Sequence, residues 1–339
     1  MFFRGQMLGK YRIDASLGSG GFGTVYLAED TWMQSRVAIK VPHRQQPDLQ
    51  EMLHEPRLLA SLDHPNIVRV LTAERQEDVF FIVMEYVPGE TLEQLVLREG
   101  ALELPQALDF TCQICNGVDH AHQAGVLHRD LRPGNMLVGS GGRLKVTDFG
   151  TSRFLEVAAR GTTIIGSPPY MAPEQFHGRA VFASDVYSIG VTMYQMLTGD
   201  LPYESPTPHD LERLERGELV TAPRLRNGKI PQAINDIVLR ALAPDPTARY
   251  TRASDLWSDV MAARRSVGTP TPARIPVPAV PAAAAAAVVT PPAPEARVDV
   301  RPRPPLRVQA EPAAARLCWH CHKALHARAD RCLFCGETQ

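Results

Sequence analysis

The sequence contains no hydrophobic run long enough to cross a membrane as a helix. The most apolar stretch near its C-terminal end, VPAVPAAAAAAVVTPP, is interrupted by prolines and is too short for a span. The first residues, MFFRGQMLGKYRI, lack the apolar core and the cleavage site of a signal peptide. We therefore expect neither a membrane span nor secretion.

Scattered cysteines, the mark of a disulfide framework, are also missing. The chain has 6 cysteines in 339 residues, and all of them fall in three C-x-x-C pairs. In a chain of this length without a secretion signal, such pairs favour reduced thiols and metal binding over disulfides. We therefore expect a cytoplasmic protein.

Neither sign of charge dominates, since the formal net charge is −1. Residues 264–339 nevertheless hold 11 Lys and Arg against 5 Asp and Glu. This basic balance permits contact with nucleic acid or an acidic partner but does not establish it. Residues 266–316 are rich in Pro and Ala and contain no aromatic residue. They cannot bury enough apolar surface to offset the entropy of ordering, so we expect a disordered or semi-extended linker.

The rest of the chain divides into a strand-rich part and a helical part. Up to about residue 100, strands are predicted from β-branched and aromatic runs, with one helical pattern among them; the strands are YRIDASLG, GTVYLAED, SRVAIKVP and VFFIVMEYV, and the helix is LQEMLHEPRLLASLDH. From residue 101 to 263 the patterns are mainly helical. The longest are LELPQALDFTCQICNGVDHAHQAG and the strongly apolar SDVYSIGVTMYQMLTG.

A glycine cluster in LGSGGFGTVYLA places Gly18, Gly20 and Gly23 in a G-x-G-x-x-G frame. The frame fits a plain glycine-rich hairpin, or a dinucleotide fold if a helix follows it. A strand pattern, TVYLAED, follows here instead. This order favours a hairpin that lies over phosphates, with Val25 covering a flat base.

Three further motifs supply groups that handle phosphates. Lys40 ends the strand VAIK, and together with the glycine cluster and Glu55 on the next helix it is a candidate phosphate ligand. Asp148 lies in VTDFG at a strand-to-loop turn, and Asn135 ends the segment HRDLRPGN. A carboxylate and an amide can jointly hold magnesium, which prefers hard oxygen ligands.

In this order, the glycine loop, VAIK, the helix glutamate, HRDLRPGN, VTDFG and GSPPYMAPE resemble the eukaryotic-type protein kinases, most closely their bacterial serine/threonine branch. The resemblance implies an α+β fold of two lobes, a β-rich N-lobe and an α-helical C-lobe. It implies transfer of the γ-phosphate of ATP to Ser and Thr hydroxyls of protein substrates, with Mg²⁺ or Mn²⁺ as cofactor. We predict a kinase domain at 8–265, a Pro/Ala-rich linker at 266–316 and a small zinc-ribbon-like module at 317–339.

The resemblance also implies roles for single residues. Lys40 would hold the α- and β-phosphates and pair with Glu55, while Asp148 and Asn135 would hold magnesium. Asp130 would accept or orient the proton of the substrate hydroxyl. The implied nucleotide-binding positions also include the three glycines, Gly18, Gly20 and Gly23, an adenine pocket of Leu17, Val25, Ala38, Met84 and Leu137, and the backbone of Glu85 to Val87 as a hinge. Structural roles in the large lobe are implied for Asp185, and for Glu174 and Arg249 as an ion pair.

Two positions depart from the family pattern. Serine/threonine kinases usually have Lys where this chain has Arg132, whose larger, bidentate guanidinium could still contact the γ-phosphate and the Ser167 hydroxyl. Pro56 follows Glu55 in an expected helix and either breaks it or lies in its first turn. The Lys40–Glu55 pair is therefore the least secure part of the expected site.

Autophosphorylation is expected at Thr162 and Thr163, which precede Gly166 in the activation segment. A phosphate there would gain charge-assisted hydrogen bonds to Arg129 and would order the segment. The alternatives ranked below these two are Thr151, Ser152 and Ser167.

The C-terminal sequence CWHCHKALHARADRCLFCG resembles a small zinc ribbon, with two C-x-x-C knuckles separated by ten residues. Four thiolates suit tetrahedral Zn²⁺, and the expected ligands are Cys318, Cys321, Cys332 and Cys335. The alternatives are four free thiols in a disordered segment, or ligands drawn from His320, His322 and His326. The third pair, Cys112 and Cys115, is expected to be buried in a helix without a metal.

Three functions remain open on the sequence. The first is an active serine/threonine kinase that phosphorylates protein substrates. The second is a pseudokinase scaffold, for which Arg132 and Pro56 are the only support. The third is a zinc-dependent adaptor, in which the C-terminal module binds a protein or nucleic acid. The oligomeric state cannot be read from the sequence.

Overall fold

A computed structural model of the chain describes residues 2–21, 23–43, 59–149, 167–204, 206 and 210–266, with two short strands near the C-terminus. Several predicted positions lie outside these residues. They are Glu55 and Pro56, Thr162 and Thr163, and the four cysteines Cys318, Cys321, Cys332 and Cys335.

An antiparallel sheet of six strands forms the N-lobe, in the order β1-β2-β3-β4-β6-β5. The strands are β1 Met7–Leu8, β2 Tyr11–Gly20, β3 Gly23–Asp30, β4 Ser35–Pro42, β5 Val70–Gln76 and β6 Val79–Glu85. Alternate side chains of β3, such as Tyr26 and Ala28, are buried against Ile39 and Phe81 from neighbouring strands. This alternation gives the sheet one apolar face and agrees with the predicted strands. The strand β5 was not predicted.

The helices of the C-lobe pack around one apolar core. They are α1 Leu92–Glu99, α2 Leu104–Gln123, α3 Phe182–Thr198, α4 Leu211–Glu215, α5 Pro223–Arg226, α6 Gln232–Ala241 and α7 Ala253–Ser266. The prediction that α3 is buried on most sides is confirmed, since both its apolar and its polar residues are buried along nearly its whole length. The long helix α2 contacts α3, α7 and the small sheet described below.

A small sheet of β7 Gly89–Thr91, β8 Met136–Gly139 and β9 Leu144–Val146 carries the segment HRDLRPGN, residues 128–135, called the HRD loop below. The 3₁₀ turn Pro133–Asn135 ends this loop where β8 begins. Gly89 has a φ of 156°, and a Cβ there would lie 2.1 Å from the Val138 carbonyl oxygen. Only glycine permits this close pairing of β7 with β8.

The predicted core cysteines lie inside α2, and both are buried. Burial raises the pKa of the Cys112 thiol to about 11, and it raises that of Cys115 well above its ordinary value. Both thiols therefore stay protonated at neutral pH, as expected of core residues.

Near the C-terminus, Arg316–Leu317 and Ala324–Leu325 pair as a two-stranded antiparallel sheet, β10 and β11. Among the helices that the structure describes, we find none that combines the length and the apolar character needed to span a membrane.

Candidate functional site

Four of the five residues predicted for an adenine pocket come together in one apolar cluster. Ala38 and Met84 are buried there and are paired across β4 and β6. Val25 from β3, Val87 after β6 and Leu137 from β8 pack against them. The cluster thus joins the N-lobe sheet to the small sheet of the C-lobe, and the pocket that Met84 lines beside it is called the cleft below. Val87, predicted only as part of the hinge, belongs to the cluster, whereas Leu17 is exposed and lies outside it.

The three glycines of the β2–β3 hairpin have different reasons to be glycine. A Cβ on Gly23 would lie 2.5 Å from the Val41 carbonyl oxygen, so the close approach of β3 and β4 excludes any side chain there. A Cβ on Gly18 or Gly20 would meet no atom within 4 Å. Open space above Gly18 and Gly20 is what a phosphate chain would require.

Lys40 and Asp148 meet at the inner end of the cleft. The ammonium Nζ of Lys40 donates to Oδ1 of Asp148 over 2.6 Å, although 108 residues separate them. The lysine side chain is 8% exposed and the aspartate side chain 26%. Asp148 has a φ of +63°, a conformation that is uncommon for residues other than glycine. The structure therefore aims a carboxylate at the lysine from the turn after β9.

Asp130 and Asn135 are joined within the HRD loop. The Asn135 amide nitrogen donates to the Asp130 carbonyl oxygen over 2.8 Å and to the Asp130 carboxylate over 3.0 Å. Both bonds use the nitrogen, so neither occupies the amide oxygen, the atom that would bind a cation. The loop is tied to β9 because Thr147 N–H donates to the Asn135 carbonyl oxygen over 2.9 Å.

Asp185 holds the HRD loop from behind. Its carboxylate accepts the backbone N–H groups of His128 and Arg129 over 2.9 and 2.8 Å, and it also lies 2.8 Å from Nε2 of His122. Burial opposes the charged form, but these hydrogen bonds and the nearby histidines keep the pKa of Asp185 below its ordinary value. The predicted structural role of Asp185 thus has a geometric basis. The contact with His122 was not predicted from the sequence.

The predicted ion pair between Glu174 and Arg249 is confirmed. Nη1 of Arg249 lies 2.8 Å from the Glu174 carboxylate, which also accepts the Ser184 hydroxyl over 2.7 Å. Burial opposes ionisation of Glu174, but the bonds from Arg249 and Ser184 hold its pKa below the usual range. The pair fixes the Pro173–His177 turn to the start of α3.

Arg132 contacts a residue that the sequence did not point to. Its Nη2 donates to Oε1 of Glu93 in the first turn of α1 over 2.7 Å. Acidic residues are common in the first turn of a helix because they interact favourably with the helix dipole. The presence of Glu93 there therefore did not indicate a contact with Arg132. A second ion pair holds the hinge, because the Glu85 carboxylate accepts a hydrogen bond from Nζ of Lys145 over 2.6 Å.

The oxygen donors of the cleft fit a magnesium site of the kind that phosphates complete. Asp148 supplies a carboxylate and Asn135 an amide, both partly buried. In the described residues no three His, Cys, Asp or Glu side chains are grouped to hold a metal by themselves. Magnesium commonly takes one or two protein ligands and completes its shell with water and phosphate oxygens, so a small protein donor set is compatible with it.

Comparison with known proteins is consistent with this geometry. The family model described as protein kinase domain matches residues 11–261. The serine/threonine-protein kinase PrkC of Bacillus subtilis is 37% identical over 264 residues, covering 75% of this chain and 40% of that protein. The probable serine/threonine-protein kinase PknB of Lactococcus lactis is 36% identical over 259 residues, covering 74% and 41%. The chain thus matches about two fifths of the length of each of these relatives.

A similar fold occurs among solved structures. The crystal structure of Rad53 1-466 in complex with AMP-PNP aligns with a TM-score of 0.65 and 28% sequence identity. The alignment covers 74% of this chain and 64% of that chain. The two-lobed architecture predicted from the motifs is therefore confirmed.

Proposed function

The chain belongs to the protein kinase family, and we propose that it transfers the γ-phosphate of ATP to serine and threonine hydroxyls of proteins. The observation that carries this proposal is the pairing of four motif residues at two segments, the turn after β9 and the HRD loop, which a backbone hydrogen bond ties together. Lys40 pairs with Asp148 at the inner end of the cleft, and Asp130 pairs with Asn135 in the HRD loop. The names of the relatives favour serine and threonine as acceptors.

In this proposal the nucleotide base lies against the apolar cluster that contains Ala38, Met84 and Leu137. Lys40 binds the phosphates, and Gly18 and Gly20 leave room for them. Bound magnesium would neutralise phosphate charge, with Asp148 and Asn135 as its protein ligands. Asp130 orients the acceptor hydroxyl and receives its proton. Catalysis then depends mainly on positioning and on charge neutralisation, because the transition state requires little covalent assistance.

The test is transfer of radiolabelled phosphate from ATP by the purified chain to a generic protein acceptor, followed by phosphoamino-acid analysis. We expect phosphoserine and phosphothreonine to form only when a divalent cation is present. Phosphotyrosine as the main product would contradict the assigned acceptor. Nucleotide binding without any transfer would favour the pseudokinase scaffold.

We further propose autophosphorylation at Thr162 or Thr163. Both lie between Asp148 and Glu174 in the sequence, in the segment where kinases of this type are modified. A phosphate adds charge that arginines such as Arg129 can bind. Phosphopeptide mapping of the active chain should find one or both threonines modified, and the double alanine variant should have low activity. A fully active protein in which neither threonine is modified would refute this assignment.

We also propose that the C-terminal module binds one Zn²⁺ through Cys318, Cys321, Cys332 and Cys335. The support is the ligand spacing, together with the paired strands β10 and β11, which enclose the first C-x-x-C in the sequence. Zinc binding would require reduced thiols, in agreement with the expected cytoplasmic location. Elemental analysis should find one zinc per chain, and replacement of Cys332 and Cys335 by Ser should remove it. A chain prepared without chelators that contains no zinc would overturn the assignment.

A small zinc module of this kind would serve to bind a partner, either a protein or a nucleic acid. The proposed division of the chain is a kinase domain at 8–265, a linker at 266–316 and this module at 317–339. Residues 264–339 carry a basic excess, which would attract an acidic partner. A partner bound there would raise the local concentration of a substrate near the kinase.

A further inference from the structure

The contact between Arg132 and Glu93 is fixed from both sides. On the helix side, Thr91 and Gln94 form a reciprocal capping box around the first turn of α1, which sets the position of Glu93. On the loop side, Asn135 N–H donates to the Arg132 carbonyl oxygen over 2.9 Å and closes the turn. The 2.7 Å bond between the side chains therefore joins two backbone segments that are each held in place by other bonds.

Gly134 provides the space that the guanidinium occupies. A Cβ at this position would lie 3.0 Å from both Cζ and Nη2 of Arg132, and 3.2 Å from Nη1. The guanidinium thus lies directly over the backbone of the HRD loop at Gly134, a residue between Asp130 and Asn135 in the sequence. A side chain at residue 134 would press against it.

Glu93 is the hydrogen-bond acceptor of Arg132 in the part of the chain that the structure describes. Nε of Arg132 is buried and has no partner among those residues. Without Glu93, no other described side chain would fix the guanidinium, which is linked to the backbone by several rotatable bonds. The side chains of Arg132 and Glu93 are 31% and 37% exposed. Pairs as exposed as this contribute little to folding, so stability does not account for the contact.

We propose that Glu93 is a positioning residue for phosphoryl transfer, which holds the Arg132 guanidinium over Gly134 so that its remaining N–H groups meet the γ-phosphate. This inference rests on the proposed kinase function. A guanidinium has five N–H donors in a planar fork, so one bond to Glu93 leaves others for a phosphate. An ammonium is a compact point charge without this fork. An arginine at residue 132 thus requires an acceptor, which Glu93 supplies, and space for its guanidinium, which Gly134 supplies.

The kinetic test is a double-mutant cycle on the full chain with Glu93→Ala and Arg132→Met. We expect Glu93→Ala to lower kcat/KM for ATP about fivefold. A loss of this size lies within the range of interaction energies found between residues in contact. The KM for the acceptor peptide should not change. In the Arg132→Met background, the same replacement should change kcat/KM by less than about twofold. Glu93→Gln, which keeps an acceptor oxygen, should give an intermediate value.

Glu90→Ala is the matched control. Glu90 lies three residues before Glu93 and pairs with Arg98 over 2.7 Å, whereas Arg132 pairs with Glu93. Its loss removes one carboxylate of similar exposure without touching Arg132. We expect Glu90→Ala to leave kcat/KM for ATP unchanged.

A binding measurement decides the inference even if the chain proves to transfer no phosphate, a result that would refute the proposed function alone. Calorimetric titration with ATP and with ADP, both with Mg²⁺, gives the preference for the nucleotide that carries a γ-phosphate. Glu93→Ala should reduce this preference about fivefold, and Glu90→Ala should not. An unchanged preference overturns the inference. In an active chain, equal losses in the wild-type and Arg132→Met backgrounds, or a gain in activity on loss of Glu93, also overturn it.

Discussion

The HRD loop has two faces that are held by different chemistry. On the back face, Asp185 is almost fully buried and binds two backbone N–H groups of the loop and the His122 ring. On the front face, Asp130, Arg132 and Asn135 are only partly buried and contact one another or Glu93. The back face fixes the backbone, while the front face keeps charged groups accessible. Replacements on the back should therefore act on stability, and replacements on the front should act on transfer.

Lys40→Met and Asp130→Asn should show the two largest effects on transfer. Lys40→Met removes the cation that contacts Asp148 and would bind the phosphates. We expect phosphoryl transfer to fall at least about a hundredfold, as for loss of a major electrostatic contact. Lys10→Met is the matched control, because Lys10 pairs with Asp30 over 3.0 Å in the same lobe. Steady-state rates for the two variants test this prediction, and similar rates would contradict the assignment of Lys40.

Asp185→Ala should show the largest effect on stability. It leaves the N–H groups of His128 and Arg129 without their acceptor in a buried site. We expect a loss of about 3 to 5 kcal/mol in the free energy of unfolding, measured by urea titration. Asp78→Ala removes a fully exposed carboxylate and should change stability by less than about 0.5 kcal/mol. A small effect at Asp185 would remove the contrast between the two faces.

The decrease in the free energy of unfolding at acid pH should depend on Asp185 and Glu174. Burial opposes their charged forms, but hydrogen bonds keep both pKa values below the ordinary range. Because the folded-state pKa is the lower one, the stabilisation is present above the unfolded-state pKa of about 4 and is lost as pH falls below it. Urea titrations between about pH 3 and pH 7 should show this fall. Asp185→Asn should make stability depend less steeply on pH over this range. An unchanged slope would contradict the role assigned to Asp185.

Gly134→Ala should give the smallest effect on transfer, and it should disturb only the front face of the HRD loop. The added Cβ would displace the Arg132 guanidinium while leaving the backbone free of strain. We expect transfer to fall about threefold through misplacement of this group. The fall should be absent in the Arg132→Met background. Gly228→Ala, where a Cβ meets no atom within 4 Å, is the control for the substitution itself. Equal rates for Gly134→Ala and wild type would show that Arg132 adapts freely.

Much of the fold and most of the cleft could be predicted because the motifs are local. Strands β2 to β4 and β6 follow from β-branched runs, and the order of Lys40, Asp130, Asn135 and Asp148 indicates the family. The pocket residues followed from the resemblance, and the structure brings four of the five into one cluster. Leu17 differs because it lies at the exposed end of β2, outside that cluster.

The contacts that the sequence did not indicate join residues far apart in the chain. Glu93 and Arg132 are 39 residues apart, and His122 and Asp185 are 63 apart. Neither pair belongs to a common local motif, and only the packing of α1, α2 and α3 around the HRD loop brings them together. Gly23 was assigned to phosphate binding, but its contact with Val41 shows that the sheet itself requires glycine there.

The central claim is that the front face carries out phosphoryl transfer, and Asp130→Asn tests it most directly. The amide oxygen that replaces a carboxylate oxygen can still accept the bond from Asn135, so fold and nucleotide binding should persist. The proton acceptor is lost, so the transfer rate at saturating ATP should fall about 10²- to 10⁴-fold. Transfer by this variant close to the wild-type rate, with ATP binding intact, would contradict the account.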